Sequence, residues 1–245
     1  MTPDSNDAPL ANALQQASGG QYSGSAIVSP WLANLQFDWK DVTQGTRKRQ
    51  IATEEMLFLE GQVADTVYVV EKGRIRLTAY SPDGKDRHLM IVGTNGILGD
   101  CGLVSTKHYV LSAVAATDSV VSTVQTSTFL RALDGNPRLL RQHLEMSSTR
   151  LRIMMQHLAM QGPNSGQRRV CHYLLGLMNS YGRANPQGIL IYITFTQQEM
   201  GNICGLSRVS VSQIFTNLER ERIIARGGRL VLILSPEKLT HLSNA

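Results

Sequence analysis

Residues 196–220, TQQEMGNICGLSRVSVSQIFTNLER, constrain the fold more than any other segment of the chain. Thr196 followed three residues later by Glu199 forms a capping box, which predicts the start of a helix. Gly205 then turns the chain, and Ser207 is an N-cap residue that predicts a second helix. Two short helices joined by a tight turn are typical of a helix-turn-helix, whose second helix enters the major groove of DNA.

The residues that follow have the pattern of a β-hairpin. Residues 223–233 read IIARGGRLVLI, with a Gly-Gly pair between two apolar-rich runs. The pattern predicts strand, tight turn and strand. Since Arg226 makes this hairpin basic, we interpret it as the wing of a winged helix and expect Arg226 to contact DNA phosphate.

The charge distribution agrees with a polyanionic partner. Residues 162–245 contain nine Lys+Arg and four Glu, whereas residues 1–161 contain fifteen of each sign. The whole surplus of +5 therefore lies in the last third of the chain. A basic domain of this kind favours binding to nucleic acid, although charge alone also fits a solvated basic face.

The first two thirds predict a β-rich domain. From about residue 44 to 125, short strand patterns alternate with turn residues. Residues 74–80 alternate polar and apolar side chains, residues 81–85 (SPDGK) form a turn, and residues 88–92 form a second strand. Many short strands with regular turns are typical of a small sandwich or barrel.

A helical period begins at Phe129. Six residues recur at spacings of four and three, which is the seam of a helix pair: Leu140, Leu144, Ser147, Leu151, Met154 and Leu158. The seam favours a homodimer, and the alternative is a helix packed on its own domain. Gly162–Gly166 (GPNSG) then predicts a hinge, because no helix continues through it.

Several other classes of protein are disfavoured. The three cysteines are far apart, so we expect a reducing compartment and no paired-cysteine zinc site. The acidic N-terminus does not resemble a secretory signal, and no apolar run is long enough to span a bilayer, so the protein is expected in the cytoplasm, away from membranes. An enzyme built on a β-roll is the rival class, but the six histidines are scattered without an HxH pair.

These segments together resemble the cAMP-receptor-protein/Fnr family of bacterial transcription regulators. The likeness covers roughly residues 44–240 and depends on GQVADTVYVVEKGRIRL (61–77), ILGDCGL (97–103), the long helix and residues 196–224. A weaker likeness points to the subgroup that senses halogenated aromatic acids. The resemblance implies an α+β fold with an N-terminal double-stranded, jelly-roll-like β-roll, a dimerisation helix and a C-terminal winged helix-turn-helix.

Residues 1–30 are polar and rich in Ser, Ala, Gln and Gly, which predicts a flexible arm. The resemblance implies an effector-binding β-roll (31–128), a dimerisation helix (129–161) and a DNA-binding domain (162–245). The implied partners are double-stranded DNA, a second copy of the chain, a small-molecule effector and RNA polymerase. The expected dimer contacts are Leu140, Leu144, Leu151, Met154 and Leu158.

The resemblance also assigns the DNA-binding residues. Those expected to face the major groove are Ser207, Arg208, Val209, Ser210, Ser212 and Gln213. The groups expected to contact phosphate are Thr196, Gln198, Ser207 and Ser210, with Arg226 in the wing. Val209 and Gln213 stand where the best-known members have Glu and Arg. Valine can pack on a thymine methyl group and glutamine can pair with adenine, so we expect A·T pairs at these two positions.

The effector site departs from the cyclic-nucleotide members of the family. Those members have Gly-Glu near Gly99-Asp100 and an arginine about ten residues later, whereas residues 107–113 here contain no arginine. We therefore expect an apolar or aromatic effector rather than cAMP, because the phosphate would lack a bidentate donor. The expected lining is Gly99, Asp100, Cys101, Tyr109, Val110, Leu111 and Ser112. Haem on Cys101 with His88 or His108 is an alternative, as are a redox-sensing roll and a roll that binds no ligand.

Overall fold

The protein is described here from a computed structural model, which covers residues 27–33, 35–80, 86–160, 165–228 and 230–244. The chain divides into two compact units. One unit comprises Pro30–Met154, and the other combines the described residues up to Ser29 with those from Met155 onward. Among the described residues, no helix is long and apolar enough to cross a membrane.

The unit Pro30–Met154 contains two antiparallel-rich sheets. Their strands are β1 (Trp31–Leu32), β2 (Lys48–Ile51), β3 (Met56–Phe58), β4 (Thr66–Lys72), β5 (Ile75–Tyr80), β6 (Asp86–Val92), β7 (Ile97–Leu98), β8 (Ser112–Ala115) and β9 (Ser119–Gln125). One sheet has the order β1-β6-β5-β8-β3 and the other β2-β9-β4-β7. This is the predicted β-roll.

The predicted hairpin is present as β5 and β6. Ile75 pairs with Val92 and Tyr80 with Asp86, with a register shift between Leu77 and Thr78. The predicted turn at residues 81–85 lies outside the described residues. Alternation along β5 buries one face against the core, which explains why the period of two was visible in the sequence.

The helical region after the roll consists of two helices, where the sequence predicted one. Helix α1 (Lys40–Thr43) precedes the roll's second strand, whereas α2 (Thr126–Gly135) and α3 (Pro137–Ala159) follow the last strand. The break lies at Asn136, whose Oδ1 accepts a hydrogen bond from the backbone N–H of Arg138 at 3.1 Å. Pro137 starts the new helix because it lacks the N–H that a first turn leaves unsatisfied.

Helix α3 has two apolar stripes. Leu139, Met146 and Ile153 are each 1% exposed and pack into their own chain. A second stripe is exposed in the single chain and consists of Leu140, Leu144, Leu151, Met155 and Leu158. The helix therefore packs on its own subunit through one face and leaves the predicted seam open on another.

The second unit contains the predicted helix-turn-helix and hairpin. Its elements are α4 (Gly166–Tyr181), β10 (Gly182–Asn185), β11 (Gly188–Ile191), α5 (Gln197–Cys204), α6 (Arg208–Arg220), β12 (Ile224–Gly227), β13 (Leu230–Ile233) and α7 (Pro236–Asn244). The strands form one sheet of order β10-β11-β13-β12. The sequence analysis missed β10, β11 and α7, because their runs are too short for periodicity to distinguish them.

The last residues of the predicted arm and of the predicted hinge have defined contacts in the structure. Residues 27–30 were assigned to a flexible arm, but the backbone N–H of Val28 donates to Oε1 of Gln156 at 3.2 Å, and Ser29 is 2% exposed. The rest of that arm lies outside the described residues, as do residues 162–164 of the predicted hinge. Gly166, the last hinge residue, is already in helix α4, which Ser165 caps.

Candidate nucleic-acid interface and effector cavity

The turn between α5 and α6 is held by the predicted caps. Oγ1 of Thr196 accepts from the backbone N–H of Glu199 at 3.0 Å, and the N–H of Thr196 donates to Oε2 of Glu199 at 2.7 Å. Gly205 adopts a left-handed conformation with φ 66° as the C-cap of α5. A Cβ at Gly201 would lie 2.7 Å from the Leu206 carbonyl oxygen, so only glycine lets the turn approach this closely.

Helix α6 presents a polar face beside a buried apolar one. Val211, Phe215 and Leu218 are buried in the domain core. The predicted groove-facing residues are exposed or half-buried: Ser207, Arg208, Val209 and Gln213 are exposed, whereas Ser210 and Ser212 are half-buried. Val209 is 65% exposed, so its methyl groups are accessible to a partner of this helix. Thr216 is exposed one turn further along and was not predicted.

The hydroxyls predicted to contact phosphate also build the turn. Oγ of Ser207 caps α6 by accepting from the N–H of Ser210 at 3.0 Å, and the two hydroxyl oxygens lie 2.8 Å apart. Gln198 is exposed and donates from Nε2 to Asn202 at 2.7 Å. A hydroxyl that accepts a capping bond keeps its own proton, so Thr196 and Ser207 can still donate to a phosphate.

Arg226 is placed differently from its predicted role. Its Nη2 lies 2.5 Å from Oε2 of Glu219 on helix α6, and its guanidinium lies 5.3 Å from the centre of the Phe215 ring. Both charged side chains are less than a quarter exposed. In this arrangement Arg226 joins β12 to helix α6 rather than pointing into solvent. The neighbouring Arg229 lies outside the described residues.

The predicted effector residues surround a small cavity in the β-roll. The cavity is lined by Phe58, Leu77, Gly99, Asp100, Cys101, Gly102, Tyr109, Val110 and Leu111. Six of the seven predicted residues are among them, and the exception is Ser112. Phe58 and Leu77 were missed, although both pair with Ala113 on strand β8 and so flank one position of the sheet. The cavity has a volume of about 20 Å³, which is room for roughly one water molecule.

The polar groups expected to bind an effector already have partners within the chain. The hydroxyl of Tyr109 donates to the Thr66 carbonyl oxygen at 2.7 Å. Oγ of Ser112 accepts from the backbone N–H of Glu60 at 3.0 Å. Both hydroxyl groups therefore already make a hydrogen bond within the chain in this conformation, and their contact with an effector stays a prediction.

Asp100 belongs to a buried charged cluster. Both of its carboxylate oxygens lie 2.7 Å from Nη1 of Arg150 on helix α3, and Oδ2 lies 3.0 Å from Nε2 of His143. A second guanidinium nitrogen of Arg150 donates to the Ile97 carbonyl oxygen. Burial by itself would raise the pKa of Asp100, but the Arg150 charge and the His143 hydrogen bond outweigh it and lower that pKa to about 2.

Cys101 does not have the character of a reactive or metal-ligating thiol. Cys101 is an exposed residue whose sulfur lies 3.8 Å from Nη1 of Arg150, and the partial desolvation of the sulfur followed by the Asp100 charge raises the pKa of its thiol. Nδ1 of His108 is 2.6 Å from the Thr106 carbonyl oxygen. No group of three metal-binding side chains occurs among the residues that the structure describes, and 20 Å³ does not hold a haem. The haem alternative thus gains no support here.

The predicted dimer residues lie on the open stripe of helix α3, with one exception. Leu140, Leu144, Leu151 and Leu158 are 42%, 57%, 61% and 73% exposed. Met154 is half-buried between the two stripes, whereas its neighbour Met155 is 61% exposed. Successive residues of an α-helix are 100° apart around its axis, and at this point Met155 lies closer to the centre of the exposed stripe than Met154 does.

Comparison with known proteins matches two family models. Residues 48–136 match the cyclic nucleotide-binding domain, and residues 168–242 match the Crp-like helix-turn-helix domain. The chain is 28% identical over 188 residues to the anaerobic regulatory protein of Bacillus subtilis, which covers 76% of this chain and 79% of that protein.

Two solved structures share the fold. FixK2 from Bradyrhizobium japonicum has a TM-score of 0.70 at 22% identity, covering 82% of this chain and 98% of that one. OCPA-complexed CprK has a TM-score of 0.70 at 18% identity, covering 89% of this chain and all of that one.

Proposed function

The chain belongs to the Crp/Fnr family of DNA-binding transcription regulators, and from that premise we propose that it acts as a homodimer on a palindromic operator. The matched relatives are transcription regulators, so the chain is a regulator and not an enzyme. A regulator of transcription acts on RNA polymerase, which we propose as its protein partner.

The observation that carries the operator proposal is the exposed face of helix α6. An exposed arginine, valine and glutamine at positions 208, 209 and 213 lie on the helix that Ser207 caps. Arginine forks onto guanine, valine packs on a thymine methyl, and glutamine pairs with adenine N6 and N7. We therefore propose an operator that is richer in A·T pairs where Val209 and Gln213 read it.

The homodimer follows from the open stripe of helix α3. An exposed row of Leu140, Leu144, Leu151 and Leu158 is costly in water, and a second copy of the same helix is self-complementary to it. Two recognition helices related by a twofold axis read half-sites about 10 bp apart, which requires a palindrome.

For the effector, we propose a small apolar or aromatic group rather than cAMP. The residues that line the cavity are apolar apart from the tyrosine hydroxyl, Asp100 and Cys101, and they include no cationic side chain. The Asp100 carboxylate is neutralised by Arg150, so neither residue is free to bind a cyclic phosphate. Because only about 20 Å³ is open, any diffusible ligand has to displace a side chain that now fills the site.

The test is selection of duplexes from random DNA by the purified protein, followed by gel shifts at several salt concentrations. We expect a palindromic motif with half-sites about 10 bp apart, and binding that weakens steeply as salt rises. An unselective binding profile, with no enriched motif at any salt concentration, would contradict the proposal. Adding cAMP to the same gel shifts should leave the operator affinity unchanged.

A further inference from the structure

Tyr109 fills the cavity in which an effector was expected. The residue is 5% exposed, and its ring stacks on Phe58 with centroids 4.0 Å apart and planes 23° apart. Its hydroxyl donates to the Thr66 carbonyl oxygen, and burial together with the neighbouring Tyr68 raises the pKa of Tyr109, so that the hydroxyl stays protonated. The ring therefore has the two kinds of contact that a bound phenol would make.

The backbone of Tyr109 is anchored on both sides. Its N–H donates to the Gln62 carbonyl oxygen at 2.8 Å, and its carbonyl oxygen accepts from the Gly61 N–H at 2.8 Å. With the backbone held in this way, the ring is positioned over the cavity. Only about 20 Å³ remains open around it.

The Tyr109 ring also packs against the segment that contacts helix α3. A Cβ at Gly99 would lie 2.9 Å from Cε1 of Tyr109, so the ring packs directly against the Gly99 backbone. The next residue, Asp100, holds Arg150 of helix α3. The position of the Tyr109 ring is thereby linked to the helix that bears the proposed dimer stripe through two adjacent residues.

From these contacts we infer that the phenol ring of Tyr109 is the resident aromatic occupant of the β-roll cavity, so that operator binding needs no diffusible ligand there. The inference builds on the proposed function and names the occupant of that same site. A diffusible aromatic molecule would bind only by competing with the tyrosine side chain.

The experiment replaces the ring by a free molecule of the same chemistry. Tyr109→Ala should open an apolar cavity, and a cavity of roughly 150 Å³ with such a lining binds benzene-sized ligands. p-Cresol, which is the tyrosine side chain as a separate molecule, is the probe. We expect Tyr109→Ala to bind the selected operator about tenfold more weakly than wild type, and millimolar p-cresol to restore most of that loss.

Two controls accompany this variant. Tyr109→Phe keeps the ring but loses the hydrogen bond to the Thr66 carbonyl oxygen, so it should bind the operator more tightly than Tyr109→Ala and should not respond to p-cresol. Val104→Ala changes an 81% exposed residue near this cavity that does not line it, and this variant should behave as wild type. If Tyr109→Ala does not fold alone, Tyr109→Leu and thermal melting with and without p-cresol provide the same readout.

Three outcomes would overturn the inference. They are equal operator affinities of Tyr109→Ala and wild type, a folded Tyr109→Ala that binds no p-cresol by calorimetry, and a wild-type protein that needs an added aromatic molecule to bind the operator. Calorimetry with p-cresol uses no DNA, so it still tests the cavity if the proposed operator binding itself fails.

Discussion

Asp100 and Arg150 form a buried ion pair between the turn after β7 and helix α3, with both carboxylate oxygens 2.7 Å from Nη1 of the guanidinium. Their side chains are 3% and 7% exposed. The residues are fifty positions apart in the chain, and the pair joins the β-roll to the helix that bears the proposed dimer stripe.

Removing one partner of this pair should destabilise the fold. Arg150→Met leaves the Asp100 carboxylate buried without its counter-charge, which costs about 3–5 kcal/mol. The double variant Asp100→Asn/Arg150→Met removes both charges and should recover much of the loss. Urea denaturation of the wild type and these variants measures the difference, and a single variant as stable as wild type would contradict the pairing.

The pair should also make stability depend on pH at acid values. Because the folded pKa of Asp100 is lowered from 3.8 to about 2, the folded state binds its proton less tightly than the unfolded state. The stabilisation is fully present above pH 3.8 and is lost as pH falls towards 2, by about 2 kcal/mol. Thermal melts between pH 2 and 5 should show this slope in wild type and a smaller one in Asp100→Asn.

The dimer stripe predicts the effect of Leu151→Glu. Leu151 is 61% exposed in the single chain, so the substitution should leave each subunit folded while placing unpaired charges in the dimer contact. We expect a folded monomer in sedimentation with little operator affinity, since two half-sites must be held at once. Arg152→Glu, an exposed neighbour outside the stripe, is the control, and a dimer that survives Leu151→Glu would exclude this contact.

Substituting Val209 should change the DNA sequence preference of the protein. Val209→Glu introduces an acceptor that matches cytosine N4, so the preference should move towards C·G at the position it faces, by about 1–3 kcal/mol. Val209→Ala removes the methyl contact without adding an acceptor and should only weaken discrimination there. Selection from random DNA compares the motifs of the three proteins. Identical motifs for wild type and Val209→Glu would show that Val209 does not contact a base.

Substitutions of Arg226 and Arg208 should have different effects on the salt dependence of operator binding. Arg226 is paired with Glu219, so Arg226→Ala should lower the melting temperature and leave the salt dependence of operator binding close to that of wild type. Arg208 is exposed at the start of helix α6, and if it contacts phosphate, Arg208→Ala should lower the salt slope by about one unit. If Arg226→Ala instead lowers the salt slope of operator binding, the result would support the phosphate contact that the sequence predicted for Arg226.

Local patterns in the sequence were sufficient for much of the DNA-binding unit and for the class of the roll. The capping box of Thr196 and Glu199, the turn at Gly205 and the cap at Ser207 each involve residues within four positions of one another. Contacts of this kind are decided by the backbone near them, so they are readable without a structure. The alternation along β5 and the seam on α3 were visible for the same reason.

The tertiary structure alone decided which partner each functional side chain has. Tyr109 lines the predicted cavity, but only the structure shows that its ring stacks on Phe58, fifty-one positions earlier, and that Asp100 pairs with Arg150. Arg226 pairs with Glu219 on the helix before it, where the sequence suggested phosphate. Spacing along the chain specifies which face of an element is apolar, but distant segments meet only when the whole core packs. For this reason the sequence determined the kind of site, whereas the tertiary structure determined what occupies it.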